Sequence, residues 1–333
     1  MKLGVYSAIL HDRSLDEALK VIKGLGLDGL EVNTGGFLPP VHVENIDEIL
    51  KNDSARDDFL GVFEAVGLEI LGLNCNGNPL HPNPIIGDAH AADVVRSLRL
   101  AHRLGQHRVV TMSGLPGGEP GAQRPNWIVN AWNSGSLEVL DYQWDVAAAF
   151  WSEIDVLARE LDVKVALELH PQNLVFNSAS ILELRERIGA TNIGVELDAS
   201  HLFWQQMDPI AVVEHLGDVV VHAAAKDVRV NQHATINGVL DNSFRRLDAT
   251  EHRVNLGGDE WANEWPNPSA WDFVAVGKGH DADYWGRFLA ALHRVDPDMI
   301  VNIEHEDTSF GPIEGLEYAS SVLLDAAAKA GLR

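Results

Sequence analysis

Short apolar, β-prone runs alternate along this chain with longer stretches in which apolar residues recur at helical spacing. The runs 3–7 (LGVYS), 29–33 (GLEVN), 68–75 (LEILGLNC), 107–114 (HRVVTMSG), 163–170 (VKVALELH), 193–198 (IGVELD), 218–224 (DVVVHAA) and 299–305 (MIVNIEH) read as strands. They are apolar on both faces, as parallel strands covered on both sides must be, and lack the in–out alternation of a half-exposed sheet. Helices are predicted at 14–26, 43–66, 88–104, 143–161, 178–188, 208–215, 281–294 and 313–330. In the first of these, Ser14 supplies an N-cap and Gly24 and Gly26 are stop signals.

Eight strand-then-helix units in 333 residues predict an α/β fold and, more narrowly, a single-domain (β/α)8 TIM barrel over 1–333. No GxGxxG follows the first strand, which argues against an open sheet built for a dinucleotide. Two connections exceed ordinary βα-loop length, 114–142 and 228–280. Both follow a strand, so both belong on the face where barrels carry their active sites. Seven of the nine tryptophans lie in or beside such rim regions: Trp127, Trp132, Trp144, Trp204, Trp261, Trp265 and Trp271. They suit a sugar-stacking wall or a partner interface, or else a lid packed on itself.

Composition narrows the function. Hydrophobic residues at 46% allow a large core. A net charge of −24 disfavours nucleic acid and membrane surfaces, and no Lys/Arg cluster offers a pocket to a strongly anionic substrate. The single cysteine, Cys75, excludes an intramolecular disulfide and an all-thiolate zinc site. The opening MKLGVYSAIL runs at once into polar HDRSLDEALK, and no apolar run approaches a membrane span, so a cytoplasmic protein is expected.

The strand ends carry the candidate chemistry. Glu168 and His170 close the fifth strand and Asp198 the sixth, with His201 just beyond; His222 lies in the seventh and Glu304 in the eighth. In a barrel such ends converge on one pocket. Carboxylates with one imidazole suit Mn²⁺, Mg²⁺, Co²⁺ or Zn²⁺, and carboxylates ending apolar strands need a cation or ordered donors. Each residue has a plainer reading. A lone strand-end Glu is usually solvated or salt-bridged, His201 fits a hydrogen-bonded rim histidine, Lys226 and Asp227 fit a structural ion pair, and 277–281 fits a turn. The pattern at four strand ends together favours a metal. Asn74, His201, Trp204, Lys226 and His280 are the candidate substrate contacts.

The segments LGLNCNGNPLHP (71–82), ALELHP (166–171), ELDASHLFWQ (196–205), HAAAKD (222–227), VGKGHDADYW (276–285) and NIEHED (302–307) resemble the xylose isomerase-like barrels, the sugar phosphate isomerases and epimerases. The resemblance covers nearly the whole chain. It implies a divalent metal, Mn²⁺ before Mg²⁺, Co²⁺ or Zn²⁺, held by Glu168, Asp198, one histidine and Glu304. Many members read His-x-His-x-Lys-Asp on the seventh strand, and here the second His position is Ala224. His222 falls on the same strand face one layer deeper; it is the expected ligand, with His201 as its replacement.

The Trp-containing loops look most like the α subunit of bacterial C-glycoside deglycosidases, which are two-subunit, metal-dependent lyases. That likeness implies a 3-oxo C-glycoside substrate, C2 proton abstraction by His170, β-elimination of the aglycone, and a smaller β subunit docked on the loops in a hetero-oligomer. The same parts serve a ketose epimerase or isomerase, with Glu168 and Glu304 as the acid/base pair. Ala224 leaves a third reading, a sugar-binding scaffold subunit without activity.

Overall fold

The computed structural model describes residues 1–333, and all eight expected strands pair into a closed parallel barrel. The first seven are β1 (Lys2–Tyr6), β2 (Gly29–Asn33), β3 (Glu69–Asn74), β4 (Arg108–Met112), β5 (Lys164–Glu168), β6 (Ile193–Asp198) and β7 (Val220–Ala225). The closing strand, Ile300–Ile303, pairs with β1 on one side and β7 on the other. Every residue of β2, β6 and the closing strand is buried, which is why the strands read as continuous apolar runs.

The chain falls into two compact units. One comprises Met1–Leu30, Leu197–Asp218 and Ala223–Arg333; the other comprises Glu31–Glu196 and Val219–His222. In the first, helices Ala282–Val295 and Pro312–Lys329 bury Trp285, Phe288 and Leu323. In the second, helix Ser134–Glu160 buries Trp144 and Trp151, and the Trp151 indole N–H donates to the Ser113 carbonyl at 3.0 Å. No helix is long and apolar enough to cross a membrane.

Capping chemistry sets the helix ends. Ser14 and Glu17 form the reciprocal capping box of helix Leu15–Leu25, which Gly26 ends; Gly24, expected as a stop, lies inside it. The predicted 43–66 helix is two, Ile46–Lys51 and Asp53–Val66. Asn52 between them has extended backbone, and its side chain caps the second through the Ser54 N–H at 2.9 Å. The predicted 143–161 helix starts earlier, at Ser134, because Asn133 accepts from the Ser136 N–H at 3.0 Å. The first insertion is therefore shorter than expected.

The second insertion has its own framework. Asp227–Val230 pairs antiparallel with Trp271–Val274, and Asn255–Gly257 with Glu260–Trp261. Trp204 and Trp271 stack with ring centroids 5.2 Å apart and planes within 3°, and Trp265 meets Trp271 edge-on at 4.8 Å. The indole N–H of Trp265 donates to the Trp271 carbonyl and that of Trp271 to the Val239 carbonyl, each at 3.1 Å. Much of the tryptophan cluster is thus packed on itself.

Candidate active site

Strand β6 delivers Asp198, which caps helix Ala199–Phe203 through the Ser200 N–H at 2.8 Å. One helical turn on, the His201 Nε2 lies 3.4 Å from Asp198 Oδ2. Lys226, just past β7, gathers the acids around it. Its Nζ is 2.9 Å from Glu304 Oε1, 3.1 Å from Glu306 Oε1 and 4.0 Å from Asp198 Oδ2. The Phe273 ring lies below the ammonium, 4.2 Å away, and meets His201 edge-on at 5.6 Å. Burial first, and then the Lys226 charge, hold the His201 imidazole well below its ordinary pKa, so it is neutral at neutral pH. A neutral imidazole is the form that ligates metals.

Lys226 and Asp227 do not pair with each other as the plain reading expected: Lys226 turns to Glu304 and Glu306. Asp227 instead organises 277–280. Its Oδ2 accepts from the backbone N–H groups of Gly277, Gly279 and His280 at 2.9–3.0 Å, and its Oδ1 shares a 2.7 Å hydrogen bond with His280 Nδ1. The His280 ring is stacked on Phe203 at 3.7 Å. These contacts give His280, an expected substrate contact, a structural anchorage.

A second buried network links β7 to β5. His222 Nε2 shares a 2.7 Å hydrogen bond with Glu31 Oε2, and Asn74 Nδ2 donates to Glu31 Oε1 at 2.7 Å. Asn74 Oδ1 accepts from the Asn76 N–H at 2.9 Å, and Asn76 Nδ2 donates to Glu168 Oε2 at 2.5 Å. The chain His222–Glu31–Asn74–Asn76–Glu168 thus runs from a fully buried imidazole to a strand-end carboxylate. Asn74, expected at the substrate, is 2% exposed and belongs to this network.

The expected ligand His222 is fully buried. It groups with Glu31 and Glu196, ligand atoms within 4.8 Å and all three residues buried. On β3, Gly72 has φ +117°, a backbone conformation that favours glycine. Trp204, an expected substrate contact, is 3% exposed with one face against Trp271. His170 is half-buried beyond β5, its Nδ1 2.6 Å from the Pro171 carbonyl.

Sequence reading missed Glu31, Asn76, Phe273 and Glu306. Glu31 carried a signal of its own, a carboxylate within the apolar strand β2, and Asn76 and Glu306 fall inside the segments 71–82 and 302–307. The donors suit a hard divalent cation: carboxylates and a neutral imidazole, with no usable thiolate. Burial pushes the Cys75 thiol up to about 11. The chain has candidate clusters for such an ion.

Comparison with known proteins fits this architecture. The family model described as the xylose isomerase-like TIM barrel matches residues 19–326. The uncharacterized protein YfiH of Bacillus subtilis (strain 168) is 33% identical over 328 residues, covering 97% of this chain and 98% of its own. Among solved structures, the probable 3-DHS dehydratase AsbF of Bacillus anthracis aligns with a TM-score of 0.63 at 16% identity, over 97% of this chain and 99% of that one. The 3-keto-D-glucoside 4-epimerase YcjR of E. coli aligns at 0.61 and 11%, over 97% and 99%. A Mycobacterium smegmatis barrel of this kind in complex with magnesium aligns at 0.61 and 13%, over 99% and 97%. At these identities the structures speak to fold alone. The length of the family match and the identity to the B. subtilis relative carry the assignment: the chain belongs to the xylose isomerase-like TIM barrel family.

Proposed function

We propose that this chain is a divalent-metal-dependent sugar epimerase or isomerase, which takes a proton from a carbon beside a carbonyl and returns it. The observation that carries the reading is a cluster around Lys226: Glu304 and Asp198 each bring a carboxylate oxygen to its Nζ, at 2.9 and 4.0 Å, and His201 Nε2 lies 3.4 Å from Asp198 Oδ2. His201, buried beside Asp198, takes the imidazole place expected of His222, and Glu168 ends β5 on a third carboxylate. Oxygen-rich sets with one imidazole suit Mg²⁺ or Mn²⁺, and Zn²⁺ or Co²⁺ as well. Such a cation supplies positive charge against the negative charge that develops on sugar oxygens as the neighbouring carbon loses its proton.

The protein's own groups handle the proton. Glu168 is oriented by Asn76 and Glu304 by Lys226, so each carboxylate has one oxygen held by a donor. In this reading one carboxylate takes the proton and the other returns it. Structural neighbours that act on keto-sugars support a sugar as the carbon acid. The test is exchange of substrate C–H with deuterated solvent, followed by NMR, on free ketoses and 3-keto-glucosides with Mg²⁺ or Mn²⁺. Glu168→Gln and Glu304→Gln should each abolish exchange. No exchange by the unmodified protein on any of these substrates overturns the reading.

A second reading, the α subunit of a C-glycoside deglycosidase, is favoured by apolar residues exposed on the insertions. Trp132 on the first insertion is 87% exposed, and on the second Ile236 is 78% and Leu240 53% exposed, apolar groups of the kind a smaller partner chain would cover. In that reading His170 abstracts the proton and the aglycone leaves by β-elimination. Aglycone release from a 3-oxo C-glycoside only when a second subunit is present separates it from the epimerase. Purified protein without stoichiometric metal points instead to an inactive sugar-binding scaffold.

A further inference from the structure

The acids around Lys226 already hold a cation, and it belongs to the protein. The ammonium is 2.9 Å from Glu304 Oε1, 3.1 Å from Glu306 Oε1 and 4.0 Å from Asp198 Oδ2. Its side chain is 3% exposed, so water screens these contacts weakly. The three acids are graded outward. Asp198 is fully buried, the Glu304 side chain is 15% exposed and that of Glu306 48%.

A divalent ion needs the same oxygens. Its bonds to carboxylate oxygens run to about 2.6 Å at most. An ion on Glu304 Oε1 would therefore stand within about 5.5 Å of the ammonium that touches that oxygen. A double and a single positive charge at that separation repel by about tenfold in affinity even with the full screening of water, and by more in a buried pocket. Lys226 and the ion cannot both keep these acids at no cost. Retreat toward the second insertion is closed by the Phe273 ring, whose centroid is 4.2 Å from Nζ. Glu306 offers the other course. It already touches the ammonium, and it is half-exposed, where water lowers the cost of holding an ion pair.

We propose that Lys226 is the resident cation of these acids and sets the protein's affinity for a divalent ion. The ion binds by displacing the ammonium from Glu304 and Asp198, and Glu306 retains it. Without metal the lysine neutralises carboxylates that burial would otherwise penalise. Lys226 and Glu306 thus act as positioning residues for the ion. The proposal rests on the metal-dependent reading only in that a divalent ion uses these acids; it does not depend on turnover.

Titration calorimetry of the chelator-stripped full chain with manganese chloride and magnesium chloride tests it. Lys226→Met should bind each ion about tenfold or more tighter than the wild type. Lys329→Met removes the same charge from an exposed position at the end of helix Pro312–Lys329 and should leave the affinity unchanged. Glu306→Gln should weaken binding where Lys226 is present and have little effect where it is Met, because the carboxylate acts through the lysine. Equal affinity in Lys226→Met and the wild type, or the same loss from Glu306→Gln in both backgrounds, overturns the proposal and leaves the metal reading standing. No ion bound by either protein overturns both. An ion bound by Lys226→Met and not by the wild type supports the competition and removes the metal-dependent reading. If Lys226→Met fails to fold, acetylation of the wild type with acetic anhydride, followed by peptide mass spectrometry, takes its place. Lys226 should be labelled faster with manganese than with chelator, and an equal rate overturns the proposal.

Discussion

Asn76 donates from Nδ2 to Oε2 of Glu168 at 2.5 Å, so the loop after β3 grips the carboxylate that ends β5. Behind it, Asn74, Glu31 and His222 hold Asn76 in turn. Partners that orient a metal-binding or proton-transferring carboxylate typically matter almost as much as the carboxylate.

Asn76→Ala should therefore lower proton exchange about 10–100-fold while the protein stays folded. Asn76→Asp should be worse, since it sets a second negative charge against Glu168. Exchange rates on a keto-sugar, with circular dichroism as the check on folding, decide the matter. Wild-type turnover in the alanine variant would sink the positioning role.

Lys226 is buried, its side chain 3% exposed, between Glu304 and Asp198. Lys226→Met leaves those acids without their cation, and breaking a buried pair in this way costs about 3–5 kcal/mol. Glu306 is 48% exposed and water screens it, so its share of that loss is small. A divalent ion bound by Glu304 and Asp198 replaces the missing charge. The variant should accordingly gain more thermal stability from added Mg²⁺ than the wild type does. Melting curves with chelator and with Mg²⁺ make the comparison, and an equal gain in both proteins argues against a cation at these acids.

Acid should destabilise the metal-free protein in two windows. Burial, in each case the largest cause, holds His90, His201 and His305 below the ordinary histidine value of 6.5. The unfolded chain takes up these protons near 6.5 and the folded chain resists them. Stability is thus full above that value and falls as pH drops below it. Hydrogen bonds from Ser243 and Asn237 hold Asp241 at about 2, so its contribution is present above 3.8 and lost as pH falls toward 2. Melting temperature in chelator should begin to fall below about pH 6.5, and His201→Asn should flatten that first limb. A melting temperature unchanged down to about pH 5 would contradict the assignment of buried neutral histidines.

The barrel was legible because its strands are covered on both faces. That burial demands apolar residues in unbroken runs, and IGVELD or GLEVN states it without reference to anything distant. Most helices announced themselves through local caps such as Ser14 with Glu17. Where the local signal was thin the boundaries moved. Residues 134–142 bury no apolar stripe, so the helix was legible only from Gln143 and Trp144 onward, although its cap is Asn133.

The acids at the strand ends were legible for a similar reason: β5 and β6 each end on a carboxylate, and chain order alone puts those ends on one face. What each side chain touches was decided by the tertiary structure. His222 pairs with Glu31, 191 residues away; Asn74 turns to Glu31; and Phe273, from within a long insertion, lies against Lys226. A hydrophobic pattern encodes whether a side chain points inward and how deep it sits. It does not encode which neighbour arrives there, because that depends on barrel register and on where each loop comes to rest.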